Sequence, residues 1–161
     1  MLVHILCSDF SHPALVGLDE VLAEHDVEWN VFGSQDKLKG GDILFLIGCQ
    51  EIVRQDVREL YDFSVLTHTS DLPRDRGWSP VNWLVLENSR LLTNCLINVS
   101  DPVDSGDVWV RESLELDGTE TWQEISRVVT ESDQRLLVWS LSGLHSHYPE
   151  KQIGNPTYRR R

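Results

Sequence analysis

In this chain of 161 residues, 26 acidic side chains outweigh 14 basic ones, giving a formal net charge of −12 that opposes any surface built to track nucleic-acid phosphates. The length suits one domain with a sizeable core. No run of about 18 apolar residues is present, and no charged stretch precedes an apolar one at the N-terminus. Neither a membrane span nor a signal peptide is therefore expected, and the protein is read as cytoplasmic. Cys7, Cys49 and Cys95 are scattered, without CxxC or Cys/His ligand spacing, and read as reduced core thiols.

Taken in chain order, "LVHILCS" (2–8) is a short apolar strand. "SHPALVGLDEVLAEH" follows as a helix, with Ser11 as its N-cap, Pro13 in the first turn, and Leu15, Leu18 and Leu22 at helical spacing. "VEWNVF" (27–32) alternates at period two, and "DILFLI" (42–47) is apolar throughout, as a strand covered on both faces would be. A short helix near 55–60 leads into the strand "FSVLT" (63–67). Strands separated by helices predict a parallel, doubly wound α/β sheet with right-handed crossovers. His68 then stands just beyond the carboxyl end of a central strand, the edge at which open α/β sheets bind ligands.

Ser79 and Pro80 mark the start of the next helix, and "LLTNCLINV" (91–99) and "VWVRESLEL" (108–116) read as strands around the acidic turn "DPVDSGD" (101–107). Thr121 and Glu124 predict a capping box on a last helix that turns Trp122, Ile125, Val129, Leu136 and Trp139 inward. The whole chain, 1–161, is expected to form one domain with a peripheral tail from about 143. The six tryptophans suit the core better than the surface of a homodimer.

No GxGxxG, GxxxxGK[ST] or GxSxG stretch is present, so neither a nucleotide phosphate cradle nor a hydrolase elbow is supported. His145 and His147 in the polar tail have no third ligand, so no metal is assigned. What remains is His68 with Asp104, 36 residues further on (104 − 68), both at strand ends. A carboxylate beside an imidazole orients the ring and suits it to acid/base work near neutrality. Alone, each has a plainer reading, the His as hydrogen-bonded scaffold and "VDSG" as a turn.

The two segments together, "HTSDLPRDRGWSPVNWLVLEN" and "DPVDSGDVW", resemble the folate-dependent formyltransferases. That family's pattern is His-x-Ser-x-Leu-Pro, an Arg-Gly, then Pro and a helix, with Asp-[Ser/Thr]-Gly-Asp downstream. The variant "SDLP…RGWSP…W" looks most like the branch that N-formylates amino sugars on nucleotide carriers, and "GNPTYRR" is similar to that branch's "EPTYYPRR". The resemblance covers about residues 45–110. It implies a Rossmann-like, mostly parallel sheet with flanking helices and N10-formyltetrahydrofolate as formyl donor. The acceptor it implies is a primary amine of a small molecule, foremost a nucleotide-linked amino sugar, with no nucleic acid and no membrane involved.

Carried over by residue, the resemblance makes His68 the acid/base and Asp104 its supporting carboxylate. Leu46, Ile47, Gly48 and Cys49 become one wall of the folate pocket, and Ser100, Asp101 and Val103 the other. Ser70, Asp71, Arg74 and Arg76 would meet the acceptor, the arginines through its phosphates. The chain departs from the pattern where the family has an Asn two residues before the His, here Leu66, and it has fewer strand–helix units. Those departures support an alternative, a catalytically impaired formyltransferase-like domain that binds folate or a partner protein.

Overall fold

The computed structural model describes residues 1–160. Its centre is a six-stranded sheet built from β1 (Leu2–Leu6), β2 (Glu28–Phe32), β3 (Gly41–Leu46), β4 (Tyr61–His68), β6 (Leu91–Asn98) and β7 (Val108–Glu115), in the order β2-β1-β3-β4-β6-β7. The first four in that order run parallel. The parallel run ends there: β6 lies antiparallel to β4 and β7 antiparallel to β6. The reason is topological: β6 and β7 are joined by a short loop with no helix, which only an antiparallel pair allows. The sheet remains mostly parallel, with flanking helices, as expected.

Strand β3 shows why "DILFL" lacks polar alternation. Ile43 and Phe45 pack on one face of the sheet with Val3, Ile5, Val65 and Leu96, while Leu44 and Leu46 pack on the other with Leu6, Val53 and Val57. The first face is covered by α4 (Trp122–Ser146), a 25-residue helix whose N-terminus carries the expected capping box. Thr121 Oγ1 accepts from the Glu124 amide, and Glu124 Oε2 accepts from the Thr121 amide. Ile125 and Leu136 are buried as expected, and Val129 and Trp139 pack partly buried. Trp122 is the exception at 52% exposure: it is the first residue of the helix.

The helix expected after β1 is broken. His12, not Ser11, caps a single 3₁₀ turn at Pro13–Leu15, its Nδ1 accepting from the Ala14 amide, while Ser11 bonds Asp9. Gly17, at φ 75°, then turns the chain before the short α1 (Leu18–Leu22). Helix α2 (Gln55–Arg58) precedes β4, and α3 (Pro80–Leu86) starts at Pro80 without a side-chain cap from Ser79. The tail returns to the sheet. β8 (Tyr158–Arg159) pairs in parallel with β5 (Arg76–Gly77), and Glu150 bridges Val108. Among the described residues, no helix is long and apolar enough to cross a membrane.

Candidate active site

Strand periodicity assigns β4's side chains. Leu66 and His68 look to the face that holds Leu46 and Ile97, while Val65 and Thr67 look to the face covered by α4. The strand ends in a cleft of about 730 Å³ that wraps over its carboxyl edge, so residues of both faces line it.

On the first face, His68 and Asp104 meet. Nδ1 lies 3.6 Å from Asp104 Oδ2, and each residue is only 6% exposed. The other ring nitrogen, Nε2, lies 2.9 Å from the Asp75 carbonyl oxygen. Two acceptor oxygens thus bracket the ring and fix its plane.

Asp104 itself is held by the chain around it. Its backbone has a φ of 56°, a region costly for a non-glycine residue, and it is retained by three contacts. The Gly77 amide donates to Oδ2 at 2.8 Å, and Gln152 Nε2 donates to the carbonyls of Asp104 and Gly106. Two glycines of the motifs follow from this crowding. A Cβ on Gly106 would fall on the Asn98 carbonyl, and one on Gly77, at φ 98°, would come within 2.5 Å of the Arg159 carbonyl oxygen.

Aliphatic side chains wall this side of the cleft: Leu46, Val53, Leu66, Val99 and Val103. Gly48 and Cys49 line it from the loop after β3, and Ser100 and Asp101 from the loop after β6. Burial pushes the Cys49 thiol up from its ordinary value. Arg58 pairs with Asp101 at the rim. Ile47, expected beside these residues, points instead into the core under α4, because it is one step out of phase with Leu46.

The four residues expected at the acceptor lie outside this cleft. Arg76 is buried, and its guanidinium is occupied by Gln152 Oε1, at 3.1 and 2.6 Å, and Tyr158 Oη, at 3.2 Å. Ser70 is fully buried and donates to the Arg74 carbonyl, while Asp71 and Arg74 line a separate polar groove. The arginines of the "GNPTYRR" segment, Arg159 and Arg160, do line the cleft, although neither was assigned to the acceptor from sequence. Arg159 is tied to Asp75 and Glu87, which raise its pKa, and lies over the Trp83 ring.

On the second face the cleft is polar. Asp9, His12, Thr69 and Asp133 line it together with Thr67, and those four were not singled out from sequence. Burial lowers the His12 pKa, with Asp9 opposing. Asp133, from α4, is held near a pKa of about 6 because burial raises it against the hydrogen bonds of Asn94 and Thr67. Its signal in the sequence was a carboxylate on the apolar stripe formed by Ile125, Val129 and Leu136. Among the described residues, no group of three or more His, Cys, Asp or Glu could hold a metal ion.

No family model matches the chain. Its sequence is similar to methionyl-tRNA formyltransferases. That of Rickettsia prowazekii (strain Madrid E) is 30% identical over 115 residues, 71% of this chain and 38% of the relative. That of Deinococcus radiodurans is 29% identical over 122 residues, 75% of this chain and 38% of the relative. The chain therefore spans well under half the length of the curated relatives it matches. In solved structures, the methionyl-tRNA formyltransferase from Clostridium thermocellum superposes with a TM-score of 0.80 at 21% identity, over 100% of this chain and 73% of that one. The formyltransferase PseJ from Anoxybacillus kamchatkensis, in complex with UDP-4,6-dideoxy-4-formamido-L-AltNAc and tetrahydrofolate, reaches 0.74 at 20% identity, over 99% and 85%. A 4-N formyltransferase from Francisella tularensis reaches 0.78 at 13% identity, over 98% and 75%. The fold is that of formyltransferase structures, and about 70% of the chain is similar in sequence to methionyl-tRNA formyltransferases.

Proposed function

We propose that this protein transfers a formyl group from N10-formyltetrahydrofolate to a primary amine of a small molecule, most specifically a nucleotide-linked amino sugar, in the cytoplasm. The observation that carries the reading is the meeting of His68 and Asp104, both buried at the end of β4 and facing one cleft. That cleft has a volume in the range of small-molecule sites, and its His68 side offers aliphatic walls with backbone polar groups along the rim, which suits a flat heteroaromatic donor. Leu46, Gly48 and Cys49 would hold the donor from one side, and Ser100, Asp101 and Val103 from the other. Bound there, the donor supplies an activated formyl carbon.

The remaining work belongs to the chain's own residues. His68 Nδ1 takes the proton that the acceptor nitrogen sheds as it bonds to the formyl carbon and returns it to the donor nitrogen as the bond from that nitrogen to the formyl carbon breaks, while Asp104 Oδ2 offsets the charge that resides on the ring in between. The Asp75 carbonyl keeps the ring from rotating away from its task. Leu66, Val99 and Val103 keep bulk water from the formyl group. The choice of a sugar nucleotide over a tRNA rests on the net charge of −12 and on the likeness to sugar formyltransferase folds, while the curated relatives are named for methionyl-tRNA.

A second reading, a folate- or partner-binding domain with impaired catalysis, is favoured by one observation. The side chain beside His68 on the same face is the aliphatic Leu66, which offers no hydrogen bond to a developing oxyanion. Tetrahydrofolate release from N10-formyltetrahydrofolate, followed by absorbance across a panel of nucleotide-linked amino sugars, separates the two. Release that needs one acceptor and disappears in His68→Ala supports the transferase. No release with any acceptor, together with saturable folate binding, supports the binding domain, and no folate binding removes both.

A further inference from the structure

Asp133 is a carboxyl that the proposed chemistry does not use. It projects from α4 into the polar side of the cleft and is 6% exposed. The groups that hold it are neutral. Asn94 Nδ2 donates to Oδ1 at 2.9 Å, and the Thr67 hydroxyl bonds the same carboxyl. Asn94 is itself fixed, because Nδ2 also reaches Ser132 Oγ at 3.0 Å and Oδ1 accepts from Thr69 Oγ1 at 3.2 Å. The Ser132 hydroxyl donates to Glu112 Oε2 at 2.6 Å, and Glu112 Oε1 takes Arg135 Nε at 2.7 Å. Arg135, the cation of this chain, is therefore engaged by Glu112. Among the described residues, no Lys, Arg or His forms an ion pair with Asp133.

A carboxylate buried among neutral donors and open to a cleft is a charge that lacks its counter-ion. A purely structural position on this stripe would be filled more cheaply by Leu or Asn. We propose that Asp133 is the subsite for the acceptor's amino group, so that the acceptor is a primary amine that arrives as an ammonium ion. The proposal rests on the formyl-transfer reading and specifies which end of the acceptor lies against α4. The carboxyl's elevated pKa leaves it ionised at neutral pH, where the ammonium form of an alkylamine also prevails. Around it, Thr67 of β4 and Asn94 of β6 are neutral, Glu112 of β7 is a like charge, Asp9 and His12 line the same cleft from the loop after β1, and His68 stands across the β4 edge.

The test compares nucleotide-linked 4-amino sugars with their 4-hydroxy counterparts by calorimetry, on the full chain and on Asp133→Asn, with tetrahydrofolate binding measured beside them. The wild-type protein is expected to bind one amino sugar about tenfold or more tighter than its hydroxy twin at pH 7.5. Asp133→Asn is expected to erase that preference while its tetrahydrofolate affinity stays unchanged. Should the variant fail to fold, the wild type decides alone, since the preference must shrink between pH 7.5 and pH 5 as Asp133 takes up its proton. A preference that survives in Asp133→Asn, a wild-type preference that is flat with pH, or equal binding of every pair overturns the subsite. Formyl transfer is assayed on the same samples. If it never occurs while the Asp133-dependent preference persists, the formyl-transfer reading fails and the amine subsite stands.

Discussion

Leu66 and His68 look from β4 toward aliphatic side chains, whereas Thr67, between them on the strand, and Thr69, just past its end, look into a buried polar network around Asn94 and Asp133. The first face carries one ionisable ring bracketed by two oxygens beside aliphatic walls, with the polar side chains of Ser100, Asp101 and Arg58 at the rim. The second carries a chain of hydrogen bonds in which every buried side-chain polar atom has a partner. The contrast separates two ways of placing a titratable group. An apolar wall leaves a single group free to exchange protons with a reactant, while a satisfied network holds a group still at the cost of fixing every neighbour in it.

The largest test of this contrast is His68→Ala. Turnover should fall between roughly a hundredfold and ten-thousandfold with tetrahydrofolate affinity retained, and steady-state rates beside calorimetry would read both. An unchanged rate would remove His68 from the chemistry. Asn94→Ala comes next. It strands Asp133, Ser132 and Thr69 together, and the cost should be about 3 kcal/mol, read as a lower midpoint in urea; a loss under about 1 kcal/mol would mean the network is loosely coupled.

Leu66→Asn would break the contrast from the other side by putting an amide on the apolar face. If an oxyanion donor is what that face lacks, kcat should rise by about tenfold or more, and a flat or lower kcat would show that a backbone amide already serves. The smallest expected effect is on stability. Asp133 has a folded pKa of about 6, raised from the ordinary carboxylate value of 3.8, so the folded state binds more protons than the unfolded one between those values. Stability therefore falls as pH rises from about 4 to about 6 and stays lower above. Asp133→Asn should escape that loss and melt higher than the wild type at pH 8, by roughly 2 kcal/mol, with the two converging near pH 4. Equal melting at both pH values would refute the sign.

Much of the frame was legible because local chemistry set it. The apolar run of β3, the Thr121–Glu124 box and the position of His68 past a strand each follow from residues close in sequence. What was not legible depended on distant partners or on phase. Arg76 reads as a free cation until Gln152 and Tyr158 are beside it, 76 and 82 residues away. Ile47 was assigned with Leu46 to one wall although adjacent strand residues face opposite sides. The antiparallel β6–β7 pair was hidden because strand sequences do not state direction, and Trp122 because helical phase does not say whether a partner covers the first residue of a helix.

The pairing of β5 with β8 has a consequence for the order in which the molecule is assembled. His68 leans on the Asp75 carbonyl, Asp75 is gripped by Arg159, and the Gly77 amide that steadies Asp104 belongs to a strand paired with Tyr158–Arg159. A chain still being synthesised holds both His68 and Asp104 long before these last contacts exist. Such a chain would fold most of its sheet from nearer contacts first. The geometry around the two residues would be completed only when the segment near Arg159 arrives, so an unfinished chain would have its binding walls before it had a working pair.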